Sequence, residues 1–224
     1  MKYDNITAAK FIDRPNRFIA NVEIGGIGER VHVKNTGRCR ELLLPGSEVI
    51  LTRSDNPGRS TRYDLIAVKK EGLGWVNIDS QAPNRAVGEW LGSGESRFGR
   101  PGLIRPEFTY GSSRVDFYLE CGNRRILIEV KGCTLEVDGI GYFPDAPTKR
   151  GVKHLRELAG AIGAGYECYI AFVIQMPGVT EVLPNRASDP DFADALACAS
   201  AAGVKLLRLP CEIAPDEMRI CGCN

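Results

Sequence analysis

The chain has 224 residues, with 29 Lys+Arg against 28 Asp+Glu for a net charge of +1, and 43% of its residues are hydrophobic. That is enough chain to bury one large core or two small ones, and with so little net charge a polyanion would have to be held by local basic clusters. No apolar run approaches the ~20 residues of a membrane span and no charged segment leads into an apolar one at the start, so the expectation is a soluble, cytoplasmic protein without membrane contact.

From the N-terminus, RFIANVEI, RVHVKN, SEVILTRS, TRYDLIAVKK and GWVNI are short strand-like runs, separated by GGIG, PG, DNPG and EGLG. Such punctuation predicts a small β-barrel over residues 1–80. Arg14, Arg17, Lys34, Arg38 and Arg40 cluster on it, and Phe18 stands beside them as a stacking platform. A basic face bearing an aromatic suits single strands or nucleic-acid backbone. The plainer alternative is a core phenylalanine among solvated arginines.

After Asp79 helical and strand patterns alternate, so residues 81–224 are expected to form one α/β domain with a mixed sheet. In NRAVGEWL, Ala86, Val87, Trp90 and Leu91 recur at helical spacing, Asn84 is placed to cap the helix, and Glu89 is a further acidic candidate. GSGESRFGRPG reads as an exposed loop. YECYIAFVIQM is an unbroken apolar run, as in a strand covered on both faces. SDPDFADALACASAAG predicts a helix capped by Ser188 and closed by Gly203, and VKLLRLP a last strand. The eight cysteines lack paired CxxC knuckles, so Cys211, Cys221 and Cys223 are expected to be free thiols on a loose tail, and zinc is not favoured.

The segment SRVDFYLECGNRRILIEVKG (113–132) carries the chemistry. With Gly122 and Asn123 as the turn, Cys121 faces Arg124, Glu120 faces Arg125, and so on outward to Phe117 with Ile128 and Asp116 with Glu129. This register leaves Val115, Phe117, Leu119, Ile126, Ile128 and Val130 on one apolar face. It also sets two carboxylates opposite each other, a destabilising pair without a cation, and Lys131 two residues beyond Glu129 points the same way. Mg²⁺ or Mn²⁺ held by Asp116, Glu129 and the Val130 carbonyl would resolve the conflict. Lys131 would orient a water or stabilise phosphate charge, giving metal-assisted phosphodiester hydrolysis. The alternative is an ordinary half-exposed hairpin with alternating charges.

Asp116 followed by Glu129-Val130-Lys131 resembles the core of PD-(D/E)xK nucleases, with Val115 where that core has proline. NTGRCRELLLPG (35–46), SRVDF (113–117), IEVKG (128–132) and FPDAPTKRGVKHLREL (143–158) together resemble the sugar fermentation stimulation protein A family. The resemblance runs through nearly the whole chain, although the family often has histidine where Lys34 stands. It implies an N-terminal OB-fold and a C-terminal nuclease-like domain, DNA binding, a link to maltose and sugar metabolism, and Asp116, Glu129 and Lys131 in the catalytic positions.

FPDAPTKRGVKHLRELAGAIG predicts a helix from Lys149 capped by Thr148, with Val152, Leu155, Ala159 and Ile162 toward the core. Lys149, Arg150 and Lys153 crowd its first turns, where positive charge opposes the helix dipole unless a phosphate is bound. They are candidates for gripping a DNA backbone. His154 is either a proton donor or, the preferred reading, an ordinary polar helix residue; Asp145 reads as a turn residue. The expected partner is DNA, bound without strong sequence preference, and self-association is left open. The rivals are a DNA-binding regulator that keeps the nuclease scaffold without turnover, and a small-molecule-binding protein of sugar metabolism.

Overall fold

The computed structural model describes residues 1–222 apart from Thr36, Asp55 and Pro57. Its first six strands are β1 (Ile6–Asn16), β2 (Ile19–Ile24), β3 (Ile27–Val33), β4 (Glu48–Arg53), β5 (Tyr63–Lys70) and β6 (Gly74–Asn77). They hydrogen-bond in the order β3-β2-β1-β4-β5-β6, and His32 with Asp64 and Val33 with Leu65 join β3 to β5 in parallel. That contact closes β1–β5 into a barrel, with β6 appended to β5. Inward residues Phe11, Val22, Val31, Val49, Leu51 and Leu65 fill it. The sequence reading passes over β1. Its outer residues Ile6, Ala8 and Ile12 are apolar but exposed, so the period-2 contrast that marks a half-buried strand is blurred.

The remaining elements are α1 (Ala82–Ser93), β7 (Leu103–Tyr110), β8 (Ser113–Cys121), β9 (Arg124–Cys133), β10 (Leu135–Val137), β11 (Ile140–Phe143), α2 (Lys149–Gly163), β12 (Glu167–Ile174), β13 (Val182–Pro184), α3 (Pro190–Ala201), β14 (Lys205–Ala214) and β15 (Glu217–Ile220). Six strands form a mixed sheet ordered β15-β14-β12-β9-β8-β7, and β10, β11 and β13 a small second one. β12 runs parallel to both β9 and β14. It is buried on both faces, as its apolar run requires.

α1 covers one face, packing Ala86, Val87, Trp90 and Leu91 with Phe117, Leu119, Ile126 and Ile128. α2 and α3 cover the other, packing Val152, Leu155, Leu158 and Phe192 with Leu127, Ile170 and Phe172. Each large side chain so buried contributes about 1.5–3 kcal/mol. β9 thereby lies between helices on both faces, and Glu129 to Gly132 form its last part before Cys133.

Several local expectations are corrected. Asn84 lies inside α1 rather than capping it; the N-cap is Gln81, without a side-chain cap. The cap of α3 is Asp189, whose carboxylate accepts the Phe192 N–H at 3.0 Å, not Ser188. β7 escapes the sequence reading because it is a largely exposed edge strand interrupted by Pro106. Cys211 is buried within β14, because the chain after it folds back as β15, so it is not on a tail. Cys221 is exposed, and Cys223 lies outside the described residues.

The joint between the barrel and the six-stranded mixed sheet is polar. Gln175 donates through Nε2 to Asn77 O and Oδ1, each at 3.0 Å, and to Asp79 O at 3.2 Å. The fully buried Asp79 accepts from Lys34 Nζ at 3.0 Å and from the Tyr3 hydroxyl at 3.2 Å. Burial and the Asp79 charge push the Tyr3 phenol above its ordinary value. A buried carboxylate is tolerable only with such partners. The first residues also leave the barrel, and Lys2 bridges to Glu217 beside β15.

Candidate active site

Gly122, at φ +61°, supplies the left-handed conformation of the β8–β9 turn. It sets the pairs Cys121–Arg124, Glu120–Arg125, Leu119–Ile126, Tyr118–Leu127 and Phe117–Ile128. These match the sequence-predicted register. The ladder ends there, one step short of the expected Asp116–Glu129 pair. Asp116 instead turns its carboxylate across to β9, where Oδ2 accepts the Val130 N–H at 2.7 Å. Its Oδ1 accepts from Asn84 Nδ2 of α1 at 2.8 Å.

Glu129 is 3% exposed. Its Oε1 meets Lys131 Nζ at 2.6 Å and also His154 Nδ1 on α2. The His154 Nε2 in turn faces the Arg150 Nε at 3.3 Å. The two carboxylates therefore sit where α1, β8, β9 and α2 meet, one oriented from each side of the sheet. Among the described residues no group of three or more His, Cys, Asp or Glu side chains is placed to hold a metal.

Electrostatics separate the two acids. Burial pushes the Asp116 carboxyl above its ordinary value and the Glu129 charge adds to this, against the Val130 N–H, Lys131 and Asn84. Burial acts the same way on Glu129, but the His154 contact and Lys131 outweigh it and hold that carboxyl below the usual range. Asp116 is thus the acid whose charge is under-compensated within the fold.

The family model "SfsA N-terminal OB domain" matches residues 12–78, and "Sugar fermentation stimulation protein RE domain" matches residues 81–217. The chain belongs to the sugar fermentation stimulation protein family. It is 53% identical over 218 residues to the sugar fermentation stimulation protein homolog of Desulfitobacterium hafniense strain Y51, covering 97% of this chain and 94% of the relative. It is 51% identical over 213 residues to the homolog of Ruminiclostridium cellulolyticum, covering 95% and 93%. A solved structure of Pyrococcus furiosus SfsA in complex with Ca²⁺ matches with a TM-score of 0.89 at 28% identity, over 100% of this chain and 96% of that one. The barrel is accordingly an OB-fold, followed by a curled mixed sheet with few helices.

In this family member the other sequence candidates divide by where their charges go. Arg14 is spent within the fold, its guanidinium donating to the carbonyls of Gly37, Arg38, Arg17 and Asn35 at 2.6–2.9 Å. Lys34 is matched by Asp79. These contacts hold the Arg14 guanidinium against its own loop and Lys34 at the joint. Arg17 lies with its guanidinium 4.7 Å over the ring of Phe18, which is 44% exposed. Arg38, Arg40 and Lys149 are exposed. Lys153 reaches Ser112 O at 3.5 Å and Glu157 at 3.7 Å. Glu89 pairs with the amino group of Met1 at 2.7 Å, which commits it away from the acidic pair. No helix of the described residues is long and apolar enough to cross a membrane.

Thr148 caps α2 as expected, accepting the Gly151 N–H at 3.0 Å. Two residues have more to do than the sequence reading gave them. His154 is buried, and the signal for it was present: it falls in the i, i+3, i+4, i+7 series Gly151, His154, Leu155, Leu158 that faces the sheet. Asn84 carries no comparable signal, since its contact with Asp116 depends on the approach of α1 to β8. Beside the site a cleft of about 360 Å³ opens between the barrel and the segment entering α2, lined by Pro83, Gly132, Asp145 and Gln175 among others. Asp145 is more than a turn residue, because its Oδ2 accepts the Arg38 N–H at 2.8 Å.

Proposed function

We propose that this protein binds DNA, largely without regard to sequence, and hydrolyses its phosphodiester backbone with Mg²⁺ or Mn²⁺ at Asp116 and Glu129. The observation that carries this is the pair itself, half-buried Asp116 and buried Glu129: two carboxylates from adjacent strands, with Lys131 beside them, in the order Asp then Glu-x-Lys of the PD-(D/E)xK arrangement. The residues fit a hard divalent cation. Their donors are oxygens, and burial together with the Glu129 charge pushes the Asp116 carboxyl up, a load that a cation would relieve. The Pyrococcus furiosus relative was solved in complex with Ca²⁺, another hard divalent cation, which supports the same chemistry on this fold.

Asp116 and Glu129, with the Val130 carbonyl as the backbone candidate, would hold the ion. When bound, such an ion neutralises phosphate charge and lowers the pKa of a water. Asn84 and the Val130 N–H fix the direction of the Asp116 oxygens, while His154 fixes Glu129. Lys131 supplies the fixed positive charge for a phosphate oxygen. Arg17, Phe18, Arg38, Arg40, Lys149, Arg150 and Lys153 are the proposed DNA-gripping residues.

A second role, a non-catalytic DNA-binding regulator of sugar or maltose use, is favoured by one feature. Lys131 and His154 already satisfy Glu129 Oε1 without a metal. Incubation of DNA with wild type and Asp116→Asn, in Mg²⁺, Mn²⁺ or EDTA, separates the two. Hydrolysis predicts cleavage in metal that is lost in the variant and in EDTA. DNA binding with no cleavage in either metal selects the regulator.

A further inference from the structure

The cleft beside the acidic pair differs in chemistry from the surface around it. Arg38, Arg40, Lys149 and Arg150 are exposed outside it, whereas among the described residues Arg17 is the only basic side chain in its lining and is offset by the Asp145 carboxylate. The rest of the lining mixes neutral hydrogen-bonding groups, Asn35, Thr134 and Gln175, with the flat or apolar surfaces of Pro83 and Tyr142. Phosphates are held by concentrated positive charge, while bases are held by amide and carboxylate groups on their edges and by flat faces. The lining is of the second kind.

Gln175 is 2% exposed and lines the cleft, and its Nε2 is fully engaged with Asn77 and Asp79. Among the described residues no donor is bonded to its Oε1, which faces the bare backbone of Gly132. A Cβ at Gly132 would lie 2.2 Å from that oxygen, so glycine there lets the Gln175 amide pack against β9 at the cleft wall. At about 360 Å³ the cleft is at the small end of ligand pockets, room for one nucleobase and not for a duplex.

At its rim Arg17 lies over Phe18, whose ring is 44% exposed and so presents area for stacking. Pro83 and Gly132, both in the lining, adjoin Asn84 and Lys131 in the chain, so a base seated here leaves its own backbone phosphates near Asp116 and Glu129.

We propose that the DNA taken by this site is single-stranded, with one base in the cleft between barrel and sheet and a neighbouring base stacked on Phe18. This rests on the hydrolytic role proposed above for where the backbone lies, but the strand preference is read by binding alone. Bases in a duplex cannot enter such a cleft without leaving the stack, which costs a few kcal/mol that a single strand does not incur.

The test uses the full chain in EDTA with a fluorescein-labelled single strand of about 15 nucleotides, within the span bound by small barrels, and the same strand in a duplex. Anisotropy is expected to show the single strand bound at least tenfold more tightly. Phe18→Ala should weaken single-strand binding roughly tenfold, as loss of one stacked base does, and Phe18→Trp should restore it. Ala146→Trp, which fills the cleft from a partly exposed lining position, should weaken it similarly, and in that variant duplex affinity should change less than twofold. Equal or tighter duplex binding overturns the proposal, as does single-strand affinity indifferent to Phe18→Ala and Ala146→Trp, or no DNA binding at all. If the preference holds while no metal supports cleavage, the hydrolytic role fails and the strand preference stands.

Discussion

Gly132, the residue after Lys131, is where the domain joint presses on the candidate site. A Cβ there would lie 2.2 Å from Gln175 Oε1 and 2.8 Å from Pro83 Cγ. Gln175 cannot swing aside cheaply, because its Nε2 holds Asn77 O, Asn77 Oδ1 and Asp79 O. Gly132→Ala therefore overpacks a buried joint, at ~1–3 kcal/mol, and displaces hydrogen bonds worth ~1 kcal/mol each. The expected loss is about 2–4 kcal/mol, or roughly 4–16 °C in Tm for a chain of this length.

Urea unfolding followed by tryptophan fluorescence measures this loss, with Trp75 on β6 reporting on the barrel and Trp90 on α1 on the second domain. In Gly132→Ala/Gln175→Ala the clash is relieved, so the double variant should be at least ~1 kcal/mol more stable than the two separate losses imply. A single-variant loss below ~1 kcal/mol, or strictly additive losses in the double variant, would refute the reasoning.

Two further outcomes are expected. Among the described residues, His154→Ala leaves the buried Glu129 with Lys131 as its only side-chain partner and should cost about 1.5–3 kcal/mol in urea unfolding at pH 7, with His154→Gln recovering part of it; no loss in either variant contradicts the contact. Arg124 grips Glu167 through two hydrogen bonds, at 2.7 and 2.9 Å, and holds its carboxyl down at about 2. A carboxyl held low stabilises the fold fully above its ordinary value of about 4.5 and loses that contribution as pH falls toward 2. After discounting for its partial exposure, Glu167→Gln should destabilise by about 0.5–1 kcal/mol at pH 7 and by nothing near pH 2; a difference that persists at pH 2 contradicts this origin.

The hairpin shows how far pattern alone reaches. Gly122-Asn123 and the alternation around it specify five cross-strand pairs, because a one-residue slip would turn Phe117, Leu119, Ile126 and Ile128 away from α1. The same reasoning stops at Asp116, where the ladder ends and the carboxylate is claimed by Asn84 and the Val130 N–H. Arg14 looks no different from Arg17 in sequence. The folded loop presents four carbonyls to the first and leaves the second over an exposed ring.

The sequence alone determined the barrel followed by an α/β domain, the register of the central hairpin, the cap of α2 and the presence of an Asp and a Glu-x-Lys on adjoining strands. These follow from local periodicity and turn chemistry, which act over a few residues. Only the tertiary structure decided that Asn84 and His154 orient the two acids, that Lys34 and Glu89 have partners elsewhere, and that a narrow cleft adjoins the pair. Those contacts join residues 25 or more positions apart, and their partners are chosen by how helices and barrel pack on the sheet, which no local pattern encodes.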